Sequence, residues 1–180
     1  MINVAHQKSC YQRKYETLSQ LHLVDRCVNY FRMKPTPPGW PRISTALWYD
    51  DPAAAIEWLC RAFGFEVQLK VEGEGGRIEH SELVFGGGLV MVGGEKHEKM
   101  PYAKPPSKVG GSNTQNMMVF VDDVEAHCVR ARAAGAVITK EPETHDYGDD
   151  YWVDRTYECR DVGGHHWWFT QRLRTGGKDA

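Results

Sequence analysis

One pattern occurs twice in this chain. Ile43–Gly64 reads ISTALWYDDPAAAIEWLCRAFG and Gln115–Gly135 reads QNMMVFVDDVEAHCVRARAAG. Each is a short apolar strand, an Asp-Asp pair, an alanine-rich amphipathic helix and a closing glycine. Strand-like sequence follows each copy, over Phe65–Val92 and Ala136–Arg172. A duplicated β-α-β-β-β unit limits the fold sharply, because two curved half-sheets set side by side wall a cleft that neither forms alone. The expectation is an α+β protein of two tandem βαβββ modules forming a curved mixed sheet around a cleft, with function located between the repeats.

Local signals place the elements. In the first module Ile43–Tyr49 is a strand, Asp51 an N-cap, Pro52 a first-turn residue and Gly64 the C-terminal stop. Ile56, Leu59, Ala62 and Phe63 recur at helical spacing and form the buried stripe. Glu66–Val71, Ile78–Phe85 and Leu89–Val92 are the next strands, separated by glycine turns. In the second module Asn116–Val121 is a strand, Asp123–Ala134 a helix, and Val137–Lys140, Tyr151–Arg160 and His165–Gln171 the remaining strands. Period-two alternation turns Leu47, Tyr49, Val119 and Val121 toward the helices. It turns Ser44, Ala46, Trp48, Asn116, Met118 and Phe120 to the concave face, together with His80, Glu82, Val84, His166, Trp168 and Thr170. Trp167 and His165 then pack under the second helix.

The boundaries that follow are an N-terminal arm over 1–41, a two-module domain over 42–172 and a tail over 173–180. Module one is 42–93, the connection 94–112 and module two 113–172. The arm has no sustained period and ends in the stiff run Lys34-Pro-Thr-Pro-Pro-Gly-Trp-Pro41. It reads either as poorly ordered or as upstream of a natural start at Met33. The connection, rich in Lys, Pro and Gly, is long enough to serve as a lid or dimer contact.

Charge and cysteine content narrow the classes. A net charge of -2 provides no global attraction to nucleic acid or membrane. No apolar run approaches the ~20 residues of a membrane span. The 5 cysteines lack a Cys-x-x-Cys pair, which favours reduced thiols and a cytoplasmic location over disulfides or a zinc knuckle.

Asp51…Gly64, His80-Ser-Glu-Leu83, Val121-Asp-Asp123…Gly135 and Asp161-Val-Gly-Gly164, in that order, resemble the vicinal oxygen chelate superfamily. This is the group of glyoxalase I, bleomycin-resistance proteins and extradiol dioxygenases. The likeness spans Ile43 to Arg172. It is closest to bacterial glyoxalase-like proteins of unassigned activity, which share a His-Ala/Ser-Glu-Leu strand and an Ala-Arg-Ala-Ala-Gly helix end. Family metalloenzymes place a His on the first strand and a Glu on the last strand of a module. The resemblance puts Ser44, Asn116, Met91 and Trp168 at those four positions, and none is a good ligand for a divalent ion. No cofactor is therefore expected. A homodimer is what the resemblance implies.

Two sets of residues remain for a concave face. His80 and Glu82, two apart on one strand, suit a proton-transfer pair, since a carboxylate orients and raises the basicity of an imidazole. His166 joins them as a catalytic candidate. With Glu158 it forms a looser copy of the pair, and all four are the alternative ligand set should a divalent metal have been relocated. Trp48, Met91, Met118, Phe120, Tyr151 and Trp168, with Ser44 and Asn116, are the ligand-binding candidates, offering flat polarisable surface to a planar or aromatic molecule. The segment Thr144–Asp150 reads as a loop that closes over the cleft or as a solvated acidic turn. The expected partner is a small apolar or aromatic molecule. Three functions stay open: a metal-independent lyase or isomerase, a non-catalytic protein that sequesters a drug or metabolite, and a metalloenzyme with shifted ligands.

Overall fold

The computed structural model describes residues 34–96 and 99–176. The chain divides after Pro38, and the second unit, Gly39–Ala180, holds every described helix and strand. The expectations for the arm before residue 34, including a start at Met33, lie outside the described residues. Residues 34–38 contain no helix or strand.

In the second unit the duplicated pattern becomes two copies of one module. Module one runs β1 (Thr45–Tyr49), α1 (Pro52–Phe63), β2 (Glu66–Glu72), β3 (Ile78–Phe85) and β4 (Gly88–Gly94). Module two runs β5 (Met117–Phe120), α2 (Val124–Ala133), β6 (Val137–Asp146), β7 (Trp152–Arg160) and β8 (His166–Thr175). Each is a four-stranded mixed sheet, ordered β1-β4-β3-β2 and β5-β8-β7-β6, with β1–β4 and β5–β8 parallel. The α+β arrangement of two tandem βαβββ modules expected from the sequence is thus present, as two half-sheets that are not hydrogen-bonded to each other.

The helices begin and end where their residues dictate. Asp51 accepts a hydrogen bond from the Ala54 amide, and Asp123 one from that of Ala126. Each carboxylate thereby satisfies a donor that the first turn leaves free. Gly64 closes α1 at φ 84°, a left-handed conformation that costs a glycine nothing. Leu47 and Tyr49 are buried, as alternation requires, with Ile56, Leu59, Ala62 and Phe63 of α1. Strands β6 and β8 run further than expected. Thr144–Asp146 belong to β6 rather than to a loop, and β8 continues beyond Arg172.

One hydrophobic core serves both modules. Phe63 packs its ring 4.7 Å from Phe169 and 5.2 Å from Trp167. Trp167 also meets Phe65. His165 lies edge-on to Tyr49 and has Nε2 2.9 Å from the Trp48 carbonyl, which makes that nitrogen the donor. Trp167 and His165 are buried as expected, β8 lies against α2, and both rings also have partners in module one. Asp161 ties this seam together. It accepts from Tyr49 Oη at 2.6 Å, from Trp167 Nε1 at 2.9 Å and from the amides of Gly163 and His165.

The helices cap each other. Trp58 Nε1 of α1 donates to the Ala134 carbonyl at 2.7 Å, just past the end of α2. In return Arg130 of α2 donates to the Ala62 and Phe63 carbonyls at the end of α1, at 3.1 and 3.0 Å. Orphan carbonyls of each helix terminus are satisfied from the opposite module, and the Arg130 charge favours the negative end of the α1 dipole. His127 completes the seam. Its Nε2 donates to the Phe63 carbonyl at 3.0 Å, so Nδ1 must accept, at 2.7 Å, from Tyr157 Oη. Cys128 and Cys159 are buried free thiols, and burial pushes the Cys159 thiol up to about 12.

Candidate functional site

On module one, β1, β3 and β4 bring Ala46, Trp48, His80 and Met91 to one recess of about 190 Å3, completed by Lys96 and Met100 from the connection. Trp48 stands opposite Gly93, where a Cβ would come within 2.9 Å of the indole, so that glycine makes room for the ring. His80 Nε2 is 2.8 Å from Glu82 Oε1, and Glu82 Oε2 accepts from Gln68 Nε2 at 2.8 Å. Hydrogen bonds from His80 and then from Gln68 hold the Glu82 carboxyl below its usual range. A carboxylate kept ionised draws the Nε2 proton of His80, leaving Nδ1 as the basic nitrogen.

On module two, Met118 stands opposite Trp168 and Phe120 opposite Thr170. Met118 is 50% exposed, Phe120 52% and Trp168 38%. Thr170, expected on the open face, is fully buried and bonds Thr156 at 2.9 Å. Glu158 Oε2 lies 3.3 Å from His166 Nε2. The His166 Nδ1 is buried without a hydrogen-bond partner. At the far end Arg172 pairs with Asp154.

Among the described residues the candidate side chains fall into more than one hollow. Trp48 and Met91 share the module-one recess with His80. Ser44, Asn116, Met118 and Phe120 come together in a different hollow of about 530 Å3, between β5 and the β3–β4 turn. Trp168 lies beside Met118 but lines neither, and Tyr151 stands exposed in the β6–β7 turn, against Trp152. Likewise His80–Glu82 and His166–Glu158 form two separate pairs, one on each module. Among the described residues no three His, Cys, Asp or Glu side chains converge as a metal site would need. Ser44, Asn116, Met91 and Trp168 do not fit a hard divalent ion either, offering neutral oxygens, a thioether and an indole.

Sequence reading missed Gln68, Lys96, Met100, Asp154 and Arg172. Continuing the alternation from His166 and Trp168 by two more steps would have reached Arg172, but the strand was ended at Gln171. Gln68 was hidden by a bulge between Val67 and Leu69, which changes the face of an edge-strand residue.

Two βαβββ modules sharing a core, each with one sheet face turned outward, define the class of protein to which this chain belongs. It is a member of the glyoxalase/bleomycin resistance protein/dioxygenase superfamily, whose family model matches residues 43–169. The chain is similar to the crystal structure of TioX from Micromonospora sp. ML1, at 36% identity and a TM-score of 0.57, covering 74% of this chain and 100% of that one. It is also similar to the uncharacterized protein Rv0887c of Mycobacterium tuberculosis, at 31% identity over 140 residues, which is 77% of this chain and 79% of the relative. TnmS3, an antibiotic binding protein from Streptomyces sp. CB03234, aligns at 16% identity and a TM-score of 0.51, over 74% of this chain and 97% of that one. That last likeness is one of fold. Among the described residues no helix is long and apolar enough to cross a membrane.

Proposed function

We propose that this protein binds a planar aromatic small molecule on its open sheet faces without a metal, and that it does so as a homodimer. The observation that carries this reading is the row Met118, Phe120 and Trp168, at least 38% exposed on one face while a complete core lies on the other. Contiguous exposed apolar surface marks a ligand or partner site. Family membership and an antibiotic-binding neighbour of the same fold support it. The test is calorimetric titration with planar aromatics of naphthalene to anthraquinone size. Phe120→Ala and Trp168→Ala should each weaken binding by roughly tenfold, the effect of losing about 1–2 kcal/mol of ring contact. Binding unaffected by either change, or by none of the compounds, sinks the reading, and sedimentation showing only monomer sinks its dimeric part.

The His80–Glu82–Gln68 chain favours a second reading, a metal-independent lyase or isomerase in which His80 moves a proton. Here His80→Ala abolishes turnover of a bound compound. Under the binding reading there is no turnover to abolish.

A further inference from the structure

Arg172, on the open face of module two, is held by both a carboxylate and aromatic rings. It stands opposite Asp154 across the β7–β8 ladder. Its Nε lies 2.5 Å from Asp154 Oδ1 and its Nη2 3.4 Å from Oδ2. Asp154 itself is buried. The guanidinium also lies over two rings, with Cζ 5.3 Å from the centroid of Phe120 and 5.1 Å from that of Trp152. These contacts occupy one edge of the guanidinium and stack it on aromatic surface. The other edge is open: Nη1 has no hydrogen-bond partner among the described residues, and the side chain is one-third exposed.

A guanidinium fixed in this way has already lost most of its rotamer freedom, so a ligand that meets it loses little more. The open edge presents two parallel N–H groups, the geometry that suits a carboxylate held bidentately. Asp154 cancels much of the net charge, so recognition comes from oriented donors rather than long-range attraction. The donors stand beside Phe120, one of the exposed apolar row with Met118 and Trp168. A ligand ring on Phe120 and Trp168 would carry its acidic substituent toward Arg172.

We propose that Arg172 determines specificity on this face and that the ligand is a planar aromatic bearing a carboxylate. This rests on the aromatic-binding reading above, and the experiment separates the two. Naphthalene-2-carboxylate and naphthalene-2-carboxamide, alike in shape and different in charge, are titrated into the full-length protein by calorimetry. The acid should bind roughly ten- to a hundredfold more tightly, the effect of a charge-assisted pair made by a fixed donor. Arg172→Lys keeps the charge and a partner for Asp154 but loses the fork, and should bring the ratio close to one. Phe120→Ala should weaken acid and amide together and leave the ratio standing.

Equal binding of both compounds to the wild type overturns the carboxylate proposal and leaves the aromatic reading intact. So does a ratio that survives Arg172→Lys in a variant whose thermal melt shows it folded. Failure of both compounds to bind at millimolar concentration overturns both. Should the lysine variant not fold, the wild-type ratio decides alone.

Discussion

His127 makes the seam between the modules sensitive to acid, by an amount that can be worked out. Both ring nitrogens are used by the neutral tautomer, one donating to the Phe63 carbonyl and one accepting from Tyr157. Protonating Nδ1 would aim an N–H at a hydroxyl that already donates to it, in a site only 5% exposed. Burial therefore lowers the pKa from 6.5 to about 4. The unfolded chain takes up the proton first, so stability is complete above the unfolded pKa. It is lost as pH falls through 6.5 toward 4, and the loss is constant below that. The full shift corresponds to about 3 kcal/mol. Of that, about 2 kcal/mol disappears between about pH 7 and about pH 4.5.

The assay is urea unfolding followed by tryptophan fluorescence across that range, for wild type and His127→Gln at one protein concentration. The variant should be the less stable at neutral pH by about 1–3 kcal/mol, through imperfectly satisfied partners. The gap should then narrow by about 2 kcal/mol on acidification. Other histidines and carboxylates titrate in both proteins and cancel in the difference. Stability curves that run parallel over the whole range would refute the argument, because they would mean that His127 takes up no less proton folded than unfolded.

Further expectations follow from particular contacts. Trp58→Phe keeps the ring but removes the donor to the Ala134 carbonyl, and should cost about 1–2 kcal/mol in the same urea assay; a neutral result would mean that water replaces the bond. Gly163→Ala would push a Cβ into the Tyr49 ring and should destabilise by about 1–3 kcal/mol, read as a lowered melting temperature. Cys128 and Cys159 should resist alkylation in the native protein and react once it is unfolded, resolved by peptide mass spectrometry. Chelator treatment should leave the affinity for a planar aromatic unchanged. Loss of a stoichiometric divalent metal together with binding would instead restore the metalloenzyme alternative.

The elements were legible in the sequence because their boundaries are set locally. Asp51 and Asp123 cap, Gly64 turns left-handed, and Leu47 and Tyr49 alternate with half-buried neighbours, all within a few residues of chain. The positions of Ser44, Met91, Asn116 and Trp168 could be counted from the same landmarks. What could not be read was how the modules meet, because it depends on pairs far apart in sequence, such as Tyr49 with Asp161 and Trp58 with Ala134. Alternation correctly buried Trp167, yet nothing local says that its ring partners are Phe63 and Phe65 of the other module. His127 is locally one polar residue on a short helix, and only the tertiary fold turns it into a buried bridge.

Trp58 and Arg130 stand equally far along their helices from Asp51 and Asp123, and they donate to Ala62's counterpart and to Ala62 itself. The same joint is therefore made twice about a pseudo-twofold axis, once with an indole and once with a guanidinium. A chain of two copies of module one would present tryptophan at both joints, and one of two copies of module two would present a pair of arginines close to the axis. The two halves have become complementary parts rather than interchangeable ones, so exchanging modules between relatives should succeed only where this pair of residues travels together.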